Sequence, residues 1–150
     1  MSGVPSYVAA FEALRPAIGA RLVELRGSLD HAIARTTPEE ARVLFDGVLH
    51  AVATLLATGD HDLHRGFVHS FVAVRATEGV GPDHAQRLLV AILDVAAAEA
   101  RAKHPDDPTA ALAITHAARL TARIINDTIA DEIGRRQAQL AGGGGTGARR

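Results

Sequence analysis

The sequence predicts an all-α fold of five helices in a single domain, the last of them long. Three observations carry this. Apolar residues recur at steps of three and four and never alternate with period two, which is helical spacing and not strand spacing. Alanine is abundant while aromatics make up only 3% of the chain, a composition suited to helices that approach one another closely. Proline, glycine, threonine and aspartate punctuate the periodic stretches where helices should start and stop. At 150 residues the chain suits one domain large enough to bury a substantial core.

The first helix is expected from Pro5 to about Arg35, because Tyr7, Phe11, Leu14, Ile18, Leu22, Leu25, Leu29 and Ile33 form one continuous stripe. Pro16 lies inside it and crowds the carbonyl of Glu12, so a kink or a change of helix is expected there. Thr37-Pro38-Glu39-Glu40 then reads as a capping box with proline at the first helical position. The second helix runs from there to Thr58, with Ala41, Leu44, Phe45, Val48, Leu49, Ala51, Val52, Leu55 and Leu56 inward and Arg42, Asp46, His50 and Thr54 outward. His50 is therefore solvent-facing, with Asp46 one turn earlier as a candidate partner.

Gly59 suits a left-handed cap, and Asp60 opens a third helix that ends at the corner Gly79-Val80-Gly81-Pro82. The other helices are expected to pack around this one. Leu63, Phe67, Val68, Phe71, Val72 and Val74 share its apolar face, but so do His64, Arg75 and Glu78, which need partners. Pro82 starts a fourth helix to about Lys103, with Ala85, Leu88, Leu89, Ile92, Leu93, Val95 and Ala96 in its core arc and Glu99 near the middle of that arc. Asp107 is placed to cap a fifth helix from Pro108 to about Leu140. There Ile114, Ala117, Ala118, Leu120, Thr121, Ile124, Ile125, Thr128 and Ile129 make an arc wide enough for more than one neighbour. Residues 141–150, AGGGGTGARR, are expected to be a flexible tail, leaving 1–140 as the domain.

Composition narrows the function classes. Sixteen basic against seventeen acidic residues provide no global field for nucleic acid or an anionic membrane. The absence of cysteine excludes disulfides, thiol nucleophiles and thiolate zinc sites. No uninterrupted apolar run reaches the roughly 18 residues of a membrane span, so a cytoplasmic location is the expectation.

Eight histidines call for metal, haem and phosphorelay to be weighed. His61 and His64, with Asp60 and Asp62 beside them, offer ligand types for a divalent ion, but capping by Asp60, solvation of His61 and packing of His64 explain the same residues. A di-iron bundle would need Glu-x-x-His pairs, which the chain lacks. For haem, only His64 lies on an apolar face, with Val68 and Phe71 as candidate pocket walls. His50, His69 and His116 fall on polar faces and read as surface histidines, and Ser70 sits in a helix interior that presents no strained nucleophile. No cofactor or metal is expected. If the third and fourth helices form an antiparallel hairpin, Glu99 lies level with His64, and the two are expected to share a buried hydrogen bond that would raise the histidine pKa. Arg75 is expected to lay its stem on Phe71 and send its guanidinium to solvent or helix-end carbonyls. The candidate ligand line is thus His64, Val68, Phe71, Arg75 and Glu99.

Five helices in this order, with Arg75, Gly79 and Val80 making an R-x-x-x-G-V corner ahead of the leucine-rich helix from His84 to Ala98, resemble the RsbR-type N-terminal sensor domains of bacterial stress signalling. The similarity runs from about Tyr7 to Ile133. It implies a globin-like or bundle-like regulatory domain, non-enzymatic and without haem, usually dimeric, that passes a signal through its last helix to a following domain. Here the last helix leads into glycines instead. The partner is then either a domain outside this sequence or a separate signalling protein, and the latter is taken as the expectation.

The resulting expectation is a regulatory sensor or protein-interaction domain, homodimeric and without enzymatic activity. The dimer surface is expected on Ile114, Leu120, Ile124, Ile125 and Ile129 of the fifth helix, with the first helix as a second contributor. The alternative is a carrier or sensor holding haem or a small apolar ligand between the second, third and fifth helices.

Overall fold

Capping chemistry sets the helix boundaries. Thr37 Oγ1 accepts from the Glu40 N–H at 3.2 Å while Glu40 Oε2 accepts from the Thr37 N–H at 3.0 Å, the reciprocal box that the sequence predicts. Gly59 takes φ 65° and donates its N–H to the Leu55 carbonyl at 2.8 Å. One residue later Asp60 Oδ1 accepts from the Leu63 N–H at 3.0 Å and starts the next helix. Gly79, at φ 82°, makes the following corner, and Val80 N–H reaches the Arg75 carbonyl at 3.0 Å. Asp107 accepts from both the N–H and the hydroxyl of Thr109, at 3.1 and 2.6 Å. These bonds, the hydroxyl one foremost, hold its carboxyl below the ordinary carboxylate pKa.

The computed structural model describes residues 6–147, apart from the side chains of residues 32 and 143–147. The described residues form α1 (Ser6–Leu29), α2 (His31–Ala34), α3 (Pro38–Thr58), α4 (His61–Thr77), α5 (Pro82–Lys103) and α6 (Thr109–Gly147), with no strand. The five expected helices are α1, α3, α4, α5 and α6; α2 is a single extra turn. The expected start at Pro5 lies outside the described residues. α1 passes Pro16 without interruption and stops at Leu29, six residues short of the expected Arg35, and α2 carries Ile33 back into the core.

The core is one cluster, and its centre is not the helix that the sequence suggests. α1 packs against α3, α5 and α6, and buries Val8, Phe11, Leu14, Ile18 and Leu22. By contrast α4, the expected hub, buries only His64, Val68 and Phe71 and lies as a cover on α3, α5 and α6. Its apolar face is narrower than expected, since Leu63 and Val74 are exposed. α5 and α6 pack closely, and both bury small residues: Ala85, Ala96, Ala97 and Ala100 on one helix, Ala110, Ala111 and Ala117 on the other.

The expected dimer residues require a correction. Ile114, Leu120, Ile124 and Ile125 are buried in this chain's own core, because α6 packs on α1, α3, α4 and α5 at once. The wide arc serves four intramolecular neighbours. Of the five, Ile129 alone stays open, at 39% exposure. The expected tail also differs: the helical backbone of α6 continues through Gly147, and residues 148–150 lie outside the described residues.

α3 is 21 residues long, and its most apolar window has mean hydropathy 1.4, enough to cross a membrane by length and composition. Eight of its side chains, from Ala41 to Leu56, are instead buried in the bundle.

Candidate functional site

Two hydrogen bonds tie α4 to α6. His64 Nε2 lies 2.8 Å from Thr121 Oγ1, and His69 Nε2 lies 3.0 Å from Thr128 Oγ1. The two pairs are five residues apart on α4 and seven apart on α6, about one and a half and two turns. The first pair is buried and the second exposed. Both threonines also bond the carbonyl four residues back on their own helix, Thr121 to Ala117 at 2.8 Å and Thr128 to Ile124 at 2.9 Å.

We assign the tautomer of His64 from this back-bonding. Thr121 has one hydroxyl proton, and the Ala117 carbonyl takes it. Oγ1 is left to accept, so the imidazole donates Nε2–H and Nδ1 carries a bare lone pair. Nδ1 is buried and has no hydrogen-bond partner. An unmet buried acceptor costs about 1–3 kcal/mol.

Glu99 is not the partner of His64. Its carboxylate lies 4.0 Å from Lys103 Nζ, one turn further along α5, and it stays 17% exposed. With no carboxylate in contact, the expected rise in the His64 pKa is reversed. Burial holds it below its ordinary value of 6.5, and the charge of His61 adds to that. The neutral imidazole is therefore the folded form, whereas the unfolded chain takes up a proton as pH falls through 6.5. His64 thus stabilises fully above pH 6.5, and this contribution is lost below it, by at most about 1.4 kcal/mol per pH unit. Denaturant titrations at pH 7.5 and 5.5 should show a larger loss for the native chain than for His64→Leu. Equal losses would mean that His64 does not titrate this way.

The rest of the expected line separates into packing roles. Val68 and Phe71 are buried core residues. Arg75 lays its guanidinium, and not only its stem, over the Phe71 ring, 5.3 Å from the centroid, where the sequence sent that group to solvent or helix-end carbonyls. Its Nε stands 3.4 Å from Glu78 Oε2, an ion pair without an aligned hydrogen bond. His50 is solvent-facing as expected, but Asp46 pairs with Arg15 Nη2 of α1 at 3.0 Å and not with His50. Asp60 caps α4 and Asp62 meets Arg65 at 3.5 Å, so the acids flanking His61 are turned to other tasks. Among the described residues no three histidine, aspartate or glutamate side chains converge as a metal site would need.

His64 also lines a cleft of about 630 Å³ between α3 and α4. Leu55, Ala51, Leu63 and Phe67 supply apolar walls, and His50 and Ser70 stand among its polar residues. Phe67, not Phe71, is the aromatic wall; its ring centroid lies 5.9 Å from that of His64. Gly47 and Gly66 line the cleft from opposite helices, and a Cβ built on either meets nothing within 4 Å. Thr121 is the residue that sequence reasoning missed. It stands in the predicted apolar arc of the last helix, and a hydroxyl there needs a partner just as His64 does.

Comparison of the chain with protein-family models, with curated proteins and with solved structures finds no match in any of the three.

Proposed function

We propose that the chain is a non-enzymatic regulatory sensor or protein-interaction domain of the kind that the RsbR-type resemblance implies. It acts as a cytoplasmic homodimer that hands its signal to a separate protein through the last helix. One observation carries the reading: α6 is a core helix as far as Ile125 and is exposed throughout residues 129–142. Ile114 to Ile125 is bedded against four other helices, while Ile129, Ile133 and Leu140 are 39%, 51% and 77% exposed. Those three recur at steps of four and seven and so lie along one side of the helix. An apolar stripe on an otherwise uncovered helix is a surface for another helix. The same helix bonds the buried His64 through Thr121 and offers this stripe further along.

Mass measurement by sedimentation or light scattering tests the dimer. The native chain is expected to be dimeric in the micromolar range, and Ile133→Glu monomeric with folding stability within about 0.5 kcal/mol of native, as for an exposed site. A monomeric native chain across that range would overturn the dimer.

A carrier or sensor of small apolar molecules is the second reading, favoured by the cleft beside His64. That reading includes haem as a ligand, although His64 Nε2 would have to leave Thr121 to ligate iron. A Soret band in freshly purified protein would favour this second reading over the first.

A further inference from the structure

The α3–α4 cleft and the orphaned nitrogen of His64 belong together. Thr121 of α6 takes the Nε2 edge of the imidazole, and the same His64 lines the cleft between α3 and α4, with Nδ1 buried and unpartnered behind that wall. At about 630 Å³ the cleft falls within the usual range of ligand sites, about 300–1,000 Å³. A second cleft of about 620 Å³ between α5 and α6 is walled by Asp83, Arg87, Asp94 and Asn126 and contains no buried group in need of a partner.

We propose that the α3–α4 cleft binds a small, uncharged, largely apolar molecule carrying one hydrogen-bond donor, an aromatic alcohol or an N–H heterocycle, whose donor is received by His64 Nδ1. Each part of that description has a residue behind it. The lone pair on Nδ1 accepts and cannot donate, so the ligand supplies the proton. Neither lysine nor arginine lines the cleft, while Asp60 and Asp62 do, so an anion finds no counter-charge and meets repulsion. Leu55, Ala51 and Leu63 give apolar walls, and Phe67 offers a ring face to an aromatic ligand. Gly47 and Gly66 supply the room, being helix-interior positions where a side chain would project into open space. Nδ1 is buried beside the half-buried Phe67 ring, so the ligand's donor reaches it as that ring turns aside while keeping a face on the cleft.

This extends the small-ligand reading to a chemical class and is independent of the dimer, since binding is measured on the chain in whatever assembly it forms. Phenol and toluene are the probes, alike in shape and differing in the donor. Titrating each into protein labelled with nitrogen-15 is expected to shift the His64 Nδ1 resonance with phenol only. Phenol should bind about tenfold tighter than toluene, the worth of one net hydrogen bond. Gly66 lines the cleft and a Cβ built there meets nothing within 4 Å, so Gly66→Leu, once shown folded by its denaturant melt, should lose phenol binding at least tenfold, roughly the same free energy. Equal affinity for the two probes would overturn the proposal. So would unchanged binding by folded Gly66→Leu, or no binding of phenol at concentrations on the order of tens of millimolar.

Discussion

Replacing Ile124 with alanine is expected to lower folding stability by about 2–5 kcal/mol, at every protein concentration. Ile124 is 1% exposed and sits where α6 meets the helices around it. Removing its side chain leaves a cavity whose lining atoms lose their contacts with it, which adds to the lost transfer free energy. With net stability of a domain this size at about 5–15 kcal/mol, such a loss is a large share of the whole. Were Ile124 a dimer-surface residue, as the sequence alone suggests, the same change would alter association and leave the folded protomer intact. Denaturant melts at two concentrations a hundredfold apart separate the cases, because a purely intramolecular loss does not depend on concentration.

Thr121→Val should have the second large effect, a loss of about 1–3 kcal/mol. Valine keeps the shape but removes the oxygen that accepts from His64 Nε2–H, so a buried donor joins an already orphaned Nδ1. The imidazole then has no partner on either edge. His64→Leu should cost less, because the Thr121 hydroxyl keeps its bond to the Ala117 carbonyl at 2.8 Å. The double variant should therefore be close to His64→Leu alone, with a coupling energy of about 0.5–3 kcal/mol. Additive losses would show that the two side chains act independently, contrary to the 2.8 Å contact.

How far the sequence could be read depends on how local the causes are. The box at Thr37, the left-handed Gly59, the cap at Asp60 and the corner at Gly79 all involve residues within a few positions of one another, and each lies where it was expected. The stripe of α1 was legible for the same reason, though not its end at Leu29, where α2 re-aims Ile33. Periodicity finds an apolar face but does not say what covers it. Ile114 and Ile129 lie in one predicted arc, yet one is fully buried and the other partly open, because the neighbouring helices end before α6 does.

At the candidate site the division is the same. That His64 and Glu99 each needed a partner followed from their places on apolar arcs; the choice of partner did not. Equal counting from the Gly79 corner would pair them, but α4 leans on α6 as well as α5, and His64 finds the threonine 57 positions away, while Glu99 turns to Lys103 on its own helix. What the sequence determined by itself is an all-helical chain, its main helices and their caps, since these rest on hydrogen bonds and periodicities a few residues long. The tertiary structure decided that α1 is the centre, that α6 is spent on its own core up to Ile125, and that His64 keeps one nitrogen free beside a cleft. Those outcomes depend on the angle and register between helices, which are set by the summed packing of side chains far apart in the chain.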